Sequence, residues 1–146
     1  SIGGMVATRS ALASHVGADI LGRGGNAIDA AVAVVFALAV THPAAGNLGG
    51  GGFMVISLAG GTTVANDHRE MAPGRATKDM FLDNKSQVVE GLSTRSHLAS
   101  GVPGSVAGLL AALTKYGTMS RAEVLQPAID LAKNGITTCN VLCKGR

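Results

Sequence analysis

Residues 46 to 73 read Gly46-Asn-Leu-Gly-Gly-Gly-Gly-Phe-Met-Val-Ile-Ser-Leu-Ala-Gly-Gly-Thr-Thr-Val-Ala-Asn-Asp-His-Arg-Glu-Met-Ala-Pro73, and this stretch decides the fold. A glycine run leads into two strand-like segments joined by Gly60-Gly61, and an arginine follows in a loop stopped by proline. The four glycines from Gly49 to Gly52 open the backbone to positive φ and let a second backbone or a ligand come close, at roughly 0.5–1 kcal/mol per residue relative to alanine. Phe53 to Leu58 is an almost unbroken apolar run, which predicts a strand covered on both faces. Gly60-Gly61 predicts a two-residue hairpin turn, with Thr62 to Asp67 returning antiparallel. The return strand then delivers Asp67, His68, Arg69 and Glu70 to the edge of a buried sheet, a usual place for a site.

Two familiar uses of glycine loops are excluded by order and content. A dinucleotide fingerprint needs strand, glycines, then helix, whereas here the order is helix, glycines, strand. A phosphate loop needs Gly-Lys-Ser or Gly-Lys-Thr, and neither tripeptide occurs.

Working outward, the 146 residues suffice for one core, and nothing reads as a linker between two. Apolar residues make up 47%, yet there is no Trp, one Tyr and three Phe, so Ala, Val and Leu must fill the interior. The longest apolar run, Ala27 to Val40, contains Asp29 and is shorter than the roughly 18–20 residues a bilayer crossing needs. It predicts a buried central helix and no membrane span. The net charge of +3 comes from Lys and Arg spread along the chain without interleaved aromatics, which argues against nucleic acid as a partner. No signal peptide opens the sequence, which fits a cytoplasmic or an already processed chain.

Short-range signals place the remaining elements. Met5 to Thr8 predicts a short strand. Ser10 caps a helix to about Arg23 with Leu12, Val16 and Ile20 on one face; Gly24-Gly25 stops it, and Asn26 caps the next, which His42-Pro43 breaks. Thr77 to Phe81 predicts a short helix, Leu82 to Glu90 an exposed turn, and Ser96 to Val102 a strand. Pro103-Gly104-Ser105 opens a helix from Val106 to Tyr116, and Ser120 with Glu123 forms a capping box for the last, which contains Pro127 and ends at Gly135. Paired helices with antiparallel strands predict an α+β layered fold.

Candidate chemistry is sparse. The histidines at 15, 42, 68 and 97 lack metal-binding spacing, and Cys139 and Cys143 are too few for zinc and wrongly spaced for a redox pair, leaving two unpaired or fortuitously close thiols. No cofactor or metal is called for. There is no Gly-x-Ser-x-Gly elbow, and Ser96-His97 would point to opposite faces of a strand. Asp67 and Glu70 bracket Arg69 and should hold its guanidinium. Arg69 stands out because its rigid fork suits bidentate binding of a carboxylate; the plain alternative is a solvated surface salt bridge.

The chain resembles the large subunit of bacterial γ-glutamyltranspeptidase. The resemblance is carried by Gly24-Gly-Asn-Ala-Ile-Asp-Ala-Ala-Val32, Thr41-His-Pro-Ala-Ala-Gly-Asn-Leu-Gly-Gly-Gly-Gly-Phe-Met54, Arg69-Glu-Met-Ala-Pro73, Ser96-His-Leu-Ala-Ser-Gly101 and Pro103-Gly-Ser-Val-Ala-Gly108. It implies a precursor that cuts itself into two subunits forming a four-layer αββα sandwich of the N-terminal-nucleophile hydrolase type. The new N-terminal threonine of the small catalytic subunit attacks the γ-glutamyl amide of glutathione, and water or an acceptor amino acid or peptide resolves the acyl-enzyme. The resemblance assigns Arg69 to the α-carboxylate of the glutamyl group and a periplasmic or secreted location to the protein. Departures matter too. The nucleophile segment Thr-Thr-His-x-Ser is absent, since Thr137-Thr138 precedes Cys139, so no catalytic residue is expected in this chain. The likeness fades after Ile136, and the chain reads as an N-terminal, incomplete part of the large subunit, inactive alone. Cephalosporin or glutaryl acylases, poly-γ-glutamate depolymerases and a non-catalytic binding homologue remain as alternatives.

Overall fold

The caps written into the sequence become helix starts. The computed structural model describes residues 3–46 and 48–137, and the reading of Cys139 and Cys143 lies outside them. Helix α1, Ala11–Gly22, starts at Ser10, whose side chain accepts from the Ala13 amide. Its buried face is Ala13, Gly17 and Ile20, while Leu12, expected to face the core, is 41% exposed. Asn26 opens α2, Ala27–Thr41, in a capping box in which the Asn26 side chain accepts from the Ile28 and Asp29 amides and Asp29 accepts from the Asn26 amide.

Helix α2 is the central element, as its all-round apolar sequence requires. Ala30, Val32, Ala33, Val34, Phe36 and Ala37 are buried on successive sides, and α1, α4 (Ser105–Tyr116) and α5 (Arg121–Asn134) pack against it. Its many alanines allow close helix approach, which explains how a core with so few aromatics closes.

Asp29 is wholly buried in this packing and fully engaged. Its carboxylate accepts from the Thr118 hydroxyl at 2.6 Å, the Thr118 amide at 2.9 Å, the Met119 amide at 3.2 Å and the Asn26 amide at 2.8 Å. The Asn26 side-chain amide also donates to the Tyr116 carbonyl at 2.7 Å. The start of α2 is thereby tied to the turn between α4 and α5. Burial pushes the Asp29 carboxyl up; the Thr118 hydroxyl and the Asn26, Met119 and Thr118 amides outweigh it and hold the group below the ordinary carboxylate value.

The hairpin consists of β1, Phe53–Ser57, and β2, Thr63–Asp67, antiparallel with Phe53 opposite Asp67 and Val55 opposite Ala65. Its connection is longer than expected. The Leu58 amide donates to the Thr62 carbonyl and the Gly61 amide to the Leu58 carbonyl, both at 2.9 Å, with Gly61 at φ +83°. This is a three-residue loop, Ala59 to Gly61, closed by a glycine in the left-handed region.

The strand is covered on one face only, contrary to its reading as doubly buried. Ile56 is buried and Met54 packs on the helical core, and Asn66 donates to the Gly108 carbonyl of α4 at 2.9 Å. Phe53 and Val55, on the opposite face, are 67% and 73% exposed. Helices lie on one side of this two-stranded sheet, so the period of two along β1 leaves alternate apolar side chains uncovered.

Three other expectations are corrected. Met5 to Thr8 forms no strand. Thr77 to Phe81 is a series of turns, with the Met80 amide on the Thr77 carbonyl and the Leu82 amide on the Asp79 carbonyl, too local to propagate a helix. Ser96 to Val102 is not a strand: a short helix α3, Leu92–Arg95, runs into a 3-10 turn, His97–Ala99, and Val102 alone bridges to Met71.

Candidate functional site

His68 is the residue on which the site segments converge, and three glycines make room for it. The backbones of Gly52 and His68 exchange hydrogen bonds at 3.3 and 3.0 Å, extending the hairpin one pair beyond β1. A Cβ on Gly51 would lie 2.6 Å from both the His68 carbonyl oxygen and the Glu70 amide nitrogen. A Cβ on Gly104 would collide with the His68 carbonyl, and one on Gly108 with the His68 side chain. The Gly50 carbonyl accepts from the Gly104 and Ser105 amides, both at 2.9 Å, which clamps the glycine run to the start of α4. None of Gly49, Gly51 and Gly52 adopts a left-handed φ. Close backbone approach is therefore what the run provides, and positive φ is not.

Arg69 follows His68 directly and sits on the outer side of this packing. Its backbone amide donates to the Asp67 carboxylate at 3.0 Å, and its Nε lies 3.3 Å from Glu70 Oε2. The expected bracketing by two carboxylates thus divides into two tasks: Asp67 fixes the backbone turn and Glu70 meets the guanidinium. The Arg69 Cζ stands 5.8 Å from the centroid of the Phe53 ring. Its side chain is 60% exposed. A groove of about 510 Å³ runs from Arg69 and Glu70 past Pro73, Phe81, Leu98 and Ser100, and the Met71 and Val102 backbones pair beside it at 2.8 and 3.1 Å.

Ser96 and His97 do not form a nucleophile and base. The Ser96 hydroxyl donates to the Leu92 carbonyl at 2.6 Å and accepts from the Leu98 amide at 3.2 Å, so it caps the 3-10 turn. Among the described residues, no three His, Cys, Asp or Glu side chains gather as a metal site, and no helix is long and apolar enough to cross a membrane. What the arrangement offers chemically is a guanidinium fork held at one edge and, among the described residues, open at its terminal nitrogens, suited to an anionic ligand. Phe53 escapes a reading of residues taken singly, because only the strand register brings it to Arg69.

Comparison with known proteins identifies the family. Residues 13–145 match the family model for γ-glutamyltranspeptidase. The glutathione hydrolase proenzyme of Escherichia coli (strain K12) is 59% identical over 139 residues, covering 95% of this chain and 24% of that protein. The crystal structure of Helicobacter pylori γ-glutamyltranspeptidase superimposes with a TM-score of 0.87 at 58% identity, over 91% of this chain and 38% of that one. A more distant relative, the acylase ACY 1 proenzyme of Pseudomonas sp. (strain V22), is 46% identical over 138 residues, 90% of this chain and 25% of that protein. The chain thus spans about a quarter of the length of the curated relatives it matches. With the glycine run, the hairpin and the Arg69 loop all inside the matched region, the chain belongs to the γ-glutamyltranspeptidase family.

Proposed function

We propose that this chain is the N-terminal part of the large subunit of a γ-glutamyl acyltransferase and hydrolase acting on glutathione and other γ-glutamyl amides. The observation that carries the reading is Arg69, with its backbone turned by Asp67, its Nε edge against Glu70 and its terminal nitrogens open. In this reading the fork takes the α-carboxylate of the glutamyl group, and the small catalytic subunit of the same precursor supplies the threonine nucleophile. Support for the reaction comes from relatives named glutathione hydrolase proenzyme, the first at 59% identity against 46% for the acylase. The open Phe53 and Val55 face of the hairpin would pack on the remainder of a four-layer αββα sandwich. A periplasmic or secreted location belongs to the same proposal and rests on the family resemblance.

The test is turnover of a γ-glutamyl anilide by the complete, self-processed protein, wild type beside Arg69→Ala. A drop in kcat/KM of roughly tenfold to a hundredfold, the worth of a charge-assisted hydrogen bond, is expected with self-cleavage intact. A correctly cleaved wild type that hydrolyses glutaryl amides and ignores γ-glutamyl anilides would transfer the protein to the acylases.

A further inference from the structure

Phe53 is a large aromatic side chain on the face of β1 that points away from the helical core, and at 67% exposed it adds nothing to the packing of this chain's own core. Its cross-strand partner is Asp67, and Arg69 lies two residues further along. Diagonal neighbours of this kind are within reach of an aromatic ring and a long side chain. The guanidinium carbon stands 5.8 Å from the ring centroid, inside the range in which a cation is attracted to an aromatic face.

We infer that Phe53 is a positioning residue for Arg69, its ring supporting the guanidinium while Glu70 holds the Nε edge, so that the two terminal nitrogens are presented end-on to a carboxylate. The inference rests on the reading of Arg69 as a carboxylate site. Glu70 Oε2 is 3.3 Å from Nε, and among the described residues no group is bonded to either terminal nitrogen. An arginine this exposed has a side chain free to sample many rotamers, and ordering it on binding weakens affinity. A ring on one side and a carboxylate on one edge remove most of that freedom before the ligand arrives. Asp67 contributes by fixing the Arg69 backbone from which the side chain departs.

The experiment uses the complete, self-processed protein with a γ-glutamyl anilide. Phe53 is replaced by phenylalanines of increasing fluorination, which keep the ring's shape while weakening its attraction for a cation, and by Leu and Tyr. The expected result is a stepwise rise in KM of about twofold to fivefold along the fluorinated series at constant kcat. Phe53→Tyr should retain the wild-type KM and Phe53→Leu should raise it, with no further effect of Phe53→Leu in an Arg69→Ala background. A flat KM across the fluorinated series, alongside an Arg69→Ala variant whose KM is raised, would overturn the role of Phe53 and leave Arg69 in place. An Arg69→Ala variant with unchanged KM would remove the carboxylate reading and this inference with it.

Discussion

At the scale of single residues, the glycine contacts around His68 set the sharpest limits. The missing side chain of Gly51 leaves room for the backbone of His68 to Glu70, the segment that presents Arg69. A Cβ there would meet backbone atoms at 2.6 Å, and backbone cannot swing aside as a flexible side chain can. Gly51→Val should therefore destabilise the complete protein by about 1–3 kcal/mol or more, read as a fall in the thermal midpoint. Its conformational freedom is not at issue, because its φ is ordinary. Gly61 is the contrasting case. At φ +83° with open space around the Cβ position, Gly61→Ala should cost about 1 kcal/mol through backbone strain alone. Equal losses at the two sites would show that crowding at Gly51 has been overestimated.

At the scale of elements, the Asp29 latch carries the clearest prediction. Four donors from three residues converge on one buried carboxylate, and Asp29→Ala would strand them, lowering stability by about 3 kcal/mol or more. The pH dependence follows from the depressed carboxyl. A group that binds its proton more weakly when folded contributes its full stabilisation above the unfolded value and loses it as pH falls through the folded one. The stability gap between wild type and Asp29→Asn should hold at neutral pH and narrow below about pH 4. A gap that stayed constant down to pH 3 would contradict the assigned charge state. Elements bounded by such capping chemistry were legible from sequence: Ser10, Asn26 and the Ser120–Glu123 pair each start a helix where expected, and Gly117 and Gly135 each stop one. The exposed turn over Leu82 to Glu90 was legible as well, and there Asp83 accepts from the Lys85 and Gln87 amides. Residues 77 to 81 and 96 to 102 were not, because their path is built from local turns, from Gly91 at φ +78° and from one bridge to Met71, none of which has a period. Arg69 was reached through its motif, but its neighbours depend on loop length. A two-residue turn at Gly60-Gly61 would pair Ala59 with Thr62 and hence Phe53 with His68, one residue out of the observed register, which exchanges the faces.

At the scale of the whole molecule, the exposed surface is large for the mass. The chain exposes 9933 Å² at 14.5 kDa, against roughly 6,900 Å² for a compact monomer of that size. Part of the excess is apolar and contiguous with the hairpin, where Phe53 and Val55 lie uncovered and, among the described residues, no third strand pairs with either sheet edge. Produced alone, these 146 residues should bind a hydrophobic dye and self-associate at micromolar concentration, and Val55→Thr should lessen both. A monodisperse, dye-silent chain would mean that the hairpin face needs no cover.

The latch at Asp29 also imposes an order in time. Thr118 and Met119 are made 89 and 90 residues after the carboxylate they hold. At about 5–20 residues per second, the nascent α2 waits roughly 4–18 s before those donors exist. Of the helices that pack on α2, α1 is made before it and α4 only at residues 105–116, so for most of that interval the charge on Asp29 must stay hydrated. An aspartate at the mouth of an otherwise apolar helix thus keeps that end wet on the ribosome until the turn that will bury it has emerged.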